Sequence, residues 1–243
     1  MEYYTAESRN DSARGKSTSS RVYETLRKAI LTQKLEPGTR LVEAKVAKEL
    51  GFSITPVRQA FAMLANQGLL VVFPYRGTYV TILTREYAND IICVRKVLEP
   101  LACSLAFEHL TPADADYLNL QCEMADINIK SGDILASIDY DVRFHDFFFE
   151  KCGNALMVEV WDVLKNRIAF FQAGTKMKIT SRSPLLTVRH GKIIKAVREM
   201  DRETLLSSVV EHLDVTMYNA DVYKRQHRHT IRFFSSLRTM GEE

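Results

Sequence analysis

Between Pro37 and Val80 the chain runs PGTRLVEAKVAKELGFSITPVRQAFAMLANQGLLVVFPYRGTYV, and its apolar residues recur first at helical and then at strand spacing. Val42, Val46, Ala47 and Leu50 fall on one helical face, which stops at Gly51, a residue free to take the left-handed backbone. Ser53 or Thr55 can cap the next helix. Pro56 sits in its first turn, where a missing N–H costs nothing, and Val57, Ala60, Phe61 and Leu64 form its buried face. Arg58 and Gln59 are left pointing outward. After Gly68 the period changes: residues 69–73 are a run of β-favouring apolar residues, 74–77 supply turn chemistry, and 78–81 alternate as a returning strand does. A further helix comes first, with Val22, Leu26, Ala29 and Ile30 at helical spacing behind a Ser19 or Ser20 cap, stopping near Pro37-Gly38. Three helices and a hairpin in this order describe a winged helix-turn-helix, a motif that reads DNA.

From Thr84 onward the pattern is helical throughout. Turn and cap residues such as Thr111-Pro112, Ser131-Gly132-Asp133, Gly153-Asn154 and Ser183-Pro184 divide it into helices at roughly 85–109, 112–130, 133–151, 154–174, 184–200 and 202–225. The expected fold is mainly α: a winged helix-turn-helix at 19–83, an all-α bundle of about six helices at 84–226, a disordered polar tail at 1–18 and a basic tail at 227–243. Pro100, inside the first bundle helix, predicts a kink.

A length of 243 residues suits two domains, one with a sizeable core. Charge is unevenly divided. Residues 1–84 hold 12 Lys and Arg against 7 Asp and Glu, net +5, and the remainder holds 21 against 23, net −2. The positive charge lies with the domain expected to meet a polyanion. In the hairpin, Arg76 and Gly77 would form the wing tip, where arginine can meet a phosphate or a minor groove and glycine admits close approach. Cys93, Cys103, Cys122 and Cys152 show neither CxxC spacing nor a disulfide framework, the N-terminus lacks an apolar signal region, and nothing is apolar for long enough to span a membrane. A cytoplasmic protein in a reducing compartment is expected.

One constellation in the bundle carries chemistry. Asp141 and His145, spaced i,i+4, put a carboxylate and an imidazole on one helical face, and His190 and His212 lie on later helices. One carboxylate and three imidazoles can hold Zn, Ni, Mn or another divalent ion with positions left for water or a ligand. The alternative is a buried His145 bonded to a neighbour, with His190 and His212 on the surface.

Residues 22–81 resemble the DNA-binding domain of the GntR family of bacterial transcription regulators through Pro37-Gly38, the Ser53-x-Thr55-Pro56-Val57-Arg58 run, Leu64 to Gly68, and Arg76-Gly77-x-x-Val80. The rest resembles the all-helical FCD ligand-binding domain of that family's FadR-like branch, through Arg95-x-x-Leu98-Glu99-Pro100, Asp141-x-x-Phe144-His145, Gly153-Asn154, His190 and His212. The resemblance implies a DNA-binding homodimer on a pseudo-palindromic double-stranded operator, usually a repressor, with Ser53, Thr55, Arg58, Lys45, Arg76 and Gly77 facing DNA. It implies a divalent metal ion on Asp141, His145, His190 and His212, and a small carboxylate effector clamped by Arg95. Asn219, seven residues past His212, would line the same cavity. Arg95 has an alternative partner in Glu99 at i,i+4. Ile54 stands where many relatives have arginine and Ala44 where some do, which suggests an altered operator preference. Two alternatives are a regulator with a purely structural metal or none, and a metal-dependent hydrolase, for which no H-E-x-x-H motif is present.

Overall fold

The computed structural model describes residues 17–176 and 185–218. They fall into two compact units that divide between Leu83 and Thr84.

In the first unit, α1 (Thr18–Leu31) is capped by Ser17, one turn earlier than Ser20, whose backbone N–H donates to Ser17 Oγ at 3.2 Å. It is followed by β1 (Arg40–Leu41), α2 (Glu43–Leu50), α3 (Ile54–Asn66), β2 (Leu70–Phe73) and β3 (Gly77–Val80). Gly51 ends α2 at φ 72°, and the Phe52 N–H closes that turn on the Ala47 carbonyl. Val22, Leu26, Ile30, Val57 and Leu64 meet in a closed core between α1 and α3, each exposed by less than 1%. The hairpin pairs Leu70 with Val80 and Phe73 with Gly77. A strand not expected from the pattern joins it: β1 pairs Arg40 with Tyr79, so the antiparallel sheet has the order β1-β3-β2. Two residues are too short a run to show alternation, which is why β1 left no sequence signal.

In the second unit, α4 (Arg85–Ala106) is capped by Thr84, which accepts from the Tyr87 N–H, and runs on through Pro100 into a 3-10 turn at Phe107–His109. Next come α5 (Asp114–Ser131), α6 (Ile134–Lys151), capped by Asp133, and α7 (Ala155–Lys176), then α8 (Leu186–Arg189), α9 (Gly191–Arg198) and α10 (Arg202–Tyr218). Helix α6 is central, packed against α4, α5 and α7, while α10 lies against α4 and α9. Phe149 stacks on Trp161 with ring centroids 4.2 Å apart, locking α6 to α7. The single helix expected at 184–200 is instead two, broken at His190 (φ −98°, ψ −3°). Side-chain bonds hold α8 ahead of the break. Asp126 of α5 accepts from the N–H groups of Leu186 and Thr187 at 2.6 and 3.1 Å, and His190 Nδ1 lies 3.1 Å from the Leu186 carbonyl.

Candidate functional site

The DNA-facing candidates sit on one unit. Ser53 holds the N-cap position of α3 without a side-chain capping bond, and Thr55 is in the first turn; both are exposed. The side-chain cap that the spacing offered at Ser53 or Thr55 is therefore not made at the Ser53 N-cap. The amide-rich start of α3 carries the positive end of a helix dipole, which favours an anion. Arg58, one turn on, is exposed and donates through Nε to Glu43 of α2 at 3.0 Å. Lys45 is exposed on α2, 3.9 Å from Glu49. At the wing the outermost residue is Tyr75, fully exposed at φ 61°, rather than Arg76 or Gly77. Gly77 begins β3 at φ 114°, and a Cβ there would come within 3.0 Å of Arg40 Nε. Arg40 of β1 thus joins Arg76 on the wing, an exposed cation that sequence reasoning passed over because its strand was not visible.

The second unit buries the other candidates together. His145 on α6, His190 at the α8–α9 break and His212 on α10 each offer a ring nitrogen within 4.8 Å of the others, and all three are buried. His190 and His212 are therefore core residues, not surface ones. Asp141, one turn before His145, lies beside the cluster with Oδ1 3.5 Å from His190 Nε2, and its Oδ2 accepts from Gln172 of α7 at 2.6 Å. Arg95, only 2% exposed, takes the alternative partner: its Nε donates to Glu99 Oε1, and its Nη2 lies 3.4 Å from His145 Nε2. Glu99 Oε2 is 2.8 Å from His145 Nδ1. Asn219 and the tail at 227–243 lie outside the described residues, as does most of the tail at 1–18.

The electrostatics suit neutral donor atoms. Burial pushes His190 down to about 3, against the pull of Asp141, and burial together with the neighbouring His190 and His145 lowers His212 well below the usual imidazole value. Burial raises the Glu99 carboxyl, but Arg95 and His145 outweigh it and hold it ionised. His190 Nε2 is buried without a hydrogen-bond partner, a condition costing about 1–3 kcal/mol. A divalent cation would satisfy that nitrogen, and three imidazoles beside a carboxylate are a donor set that suits one. Next to Glu99 and His145 a cavity of about 10 Å3, room for about one water, lies between Cys103, Ile193 and Val209.

A winged helix-turn-helix followed in the chain by a helical unit with a buried polar cluster is the architecture of a DNA-binding transcription regulator. Residues 18–80 match the bacterial regulatory proteins of the gntR family and residues 90–215 match the FCD domain, and the chain belongs to the GntR family. It is 30% identical over 207 residues to the gluconate operon transcriptional repressor of Bacillus licheniformis, covering 82% of this chain and 83% of that one. It is 26% identical over 194 residues to the HTH-type transcriptional repressor RspR of Escherichia coli K12, covering 79% and 84%. Among solved structures, E. coli McbR/YncC has the same fold, with a TM-score of 0.67 at 24% identity over 87% of this chain and 99% of that one. A GntR regulator from Rhodococcus sp. RHA1 superposes with a TM-score of 0.70 at 23% identity, covering 84% and 98%.

Proposed function

We propose that this regulator is a homodimeric repressor whose hold on a pseudo-palindromic operator is set by a small carboxylate bound at a divalent-metal site in the helical unit. The observation that carries this reading is the gathering of His145, His190 and His212 from three parts of the chain into one buried cluster, with Asp141 beside it. Burying His190 Nε2 without a hydrogen-bond partner is costly unless something else engages it. The residues that would hold the ion are Asp141, His145, His190 and His212. When bound, a divalent ion supplies an electrophilic centre to which a carboxylate oxygen can coordinate.

Arg95 is the cation for the remaining charge. Its planar guanidinium suits bidentate capture of a carboxylate, and Glu99 now occupies that role, so an incoming acid competes with a carboxylate of the protein itself. On the other unit, the start of α3 with Ser53, Thr55 and Arg58, Lys45 on α2, and the wing with Arg40, Arg76 and Gly77 supply major-groove and backbone contacts. Such a protein works in the cytoplasm, and among the described residues no helix is long and apolar enough to cross a membrane.

The test uses an operator selected from random duplex DNA and zinc-loaded protein. Two- to six-carbon carboxylates at millimolar concentration are expected to weaken operator binding by about 5–150-fold for at least one acid, an effect lost in His212→Ala. Equal operator affinity with and without every acid contradicts effector control. Control without metal is the outcome if His212→Ala responds as wild type does.

A further inference from the structure

We infer that Tyr75, at the tip of the wing, is a DNA contact: its ring lies against the deoxyribose wall of the operator and its hydroxyl donates to a phosphate. The inference rests on the proposed placement of the wing at DNA, and goes beyond it by naming a residue outside the arginines and glycine already assigned there.

Two independent observations single Tyr75 out. The first is exposure: Tyr75 is fully exposed, while no other large apolar or aromatic side chain among the described residues exceeds 70%. A ring held wholly in water leaves apolar surface that contact with sugar carbons would cover. The second is the backbone. Tyr75 lies at φ 61°, a left-handed conformation that strains a residue with a Cβ more than Gly, and that Asn tolerates. Gln33 and Met200 share a positive φ, but each stands one residue past the C-cap of a helix, where that conformation is the ordinary stop. Tyr75 has no helix to end.

Pro74 and Tyr75 are instead the central pair of a β-turn closed by the Arg76 N–H on the Phe73 carbonyl at 3.0 Å. A positive φ at the second central residue calls for Gly or Asn, so tyrosine stands there against the preference of the turn. Strain of this kind, on a side chain that packs against nothing, points to a ligand outside the chain. The rest of the tip is braced. Pro74 fixes its own φ, the Tyr79 hydroxyl donates to the Arg76 carbonyl at 3.1 Å, and the Phe73 ring meets Tyr79 edge-on at 5.8 Å. A phenol on a braced turn loses little freedom on binding. It also suits both parts of the DNA backbone, with an apolar face for sugar and an O–H for phosphate.

The test compares wild type with Tyr75→Asn, Tyr75→Phe and Arg76→Ala on an operator selected from random duplex DNA. Affinity is read by fluorescence anisotropy across a salt series, and stability by thermal unfolding. Tyr75→Asn is expected to unfold at the wild-type temperature or above, since Asn tolerates the left-handed backbone, yet to bind the operator about tenfold more weakly. Tyr75→Phe, which removes only the hydroxyl, is expected to lose about fivefold. Because the phenol is neutral, both variants are expected to keep the wild-type dependence of log affinity on log salt, whereas Arg76→Ala lowers that slope by about one. Hydroxyl-radical footprinting read by mass spectrometry is expected to show Tyr75 of the wild type protected when operator is added.

The inference is overturned if Tyr75→Asn or Tyr75→Phe binds within about twofold of wild type, or if operator leaves Tyr75 as open to oxidation as before. A salt slope that falls in Tyr75→Asn as it does in Arg76→Ala also overturns it, by tracing the loss to a displaced arginine. Arg76→Ala that binds as wild type does, with the wild-type slope, removes the whole wing from the interface and so marks failure of the wing placement rather than of Tyr75 alone.

Discussion

Gly77 shows how one atom can govern the DNA-facing surface. At φ 114° the backbone lies where L side chains are strained, and a Cβ would press on the Arg40 guanidinium at 3.0 Å. Gly77→Val is expected to cost about 1–3 kcal/mol in a thermal unfolding comparison and to weaken operator binding about tenfold by fluorescence anisotropy. Unchanged operator affinity in a folded variant would remove the wing from the interface. At this scale the sequence was most readable where the partners are local. Asp141 and His145 share a helical face by spacing alone, and Arg95 reaches Glu99 at i,i+4. Contacts that cross between elements were not readable: Glu99 to His145, Gln172 to Asp141, Asp126 to Leu186 and Arg40 over Gly77 all depend on how helices and strands pack.

At the scale of elements, amphipathic spacing located the long helices to within a few residues, because each buries one apolar stripe. It did not show the α8–α9 break. The backbone at His190 stays near the helical region there, and the bonds that flank the break come from Asp126 on another helix and from the histidine's own ring. A comparable tie joins α6 to the start of α5. Lys151 donates to both oxygens of Asp114 at 2.8 Å, and Thr111 donates to the same carboxylate through its N–H and hydroxyl. Burial raises the Asp114 carboxyl, but the Lys151 and Thr111 bonds together outweigh it and lower its pKa from the ordinary 3.8. A depressed folded-state value means that this contribution to stability is complete above the unfolded value and is lost as pH falls through the folded one. Asp114→Ala is therefore expected to have a lower urea midpoint than wild type at pH 7, with the gap narrowing below about pH 4. A gap that is constant down to pH 3 would show that the ionised carboxylate is not what stabilises this corner.

At the scale of the whole molecule, the helical unit exposes apolar residues in rows. Val94, Val97, Leu101 and Leu105 follow helical spacing along α4, and Leu156, Val160 and Val163 do so along α7. Rows of exposed apolar residues of this kind are where the homodimer proposed above would pair, since an isologous dimer is the simplest assembly for a two-half-site operator. Val97→Lys with Leu101→Lys is expected to convert a dimer to a monomer in sedimentation velocity and to weaken operator binding by about 100-fold or more, as one of two linked contacts is lost. A variant that still sediments as a dimer would place the interface elsewhere. The family and the two-part architecture were readable at this scale because two sets of motifs follow one another in order. The pairing surface was not, since an exposed valine and a buried one look alike in a helical repeat.

Whether the buried histidines hold a metal is tested by elemental analysis of purified wild type beside His145→Ala after both are offered zinc, nickel and manganese. About one divalent ion per wild-type chain, absent from the variant, is the predicted result. Wild-type protein that retains no ion from any of the three contradicts the metal site and leaves His145, His190 and His212 as structural core residues.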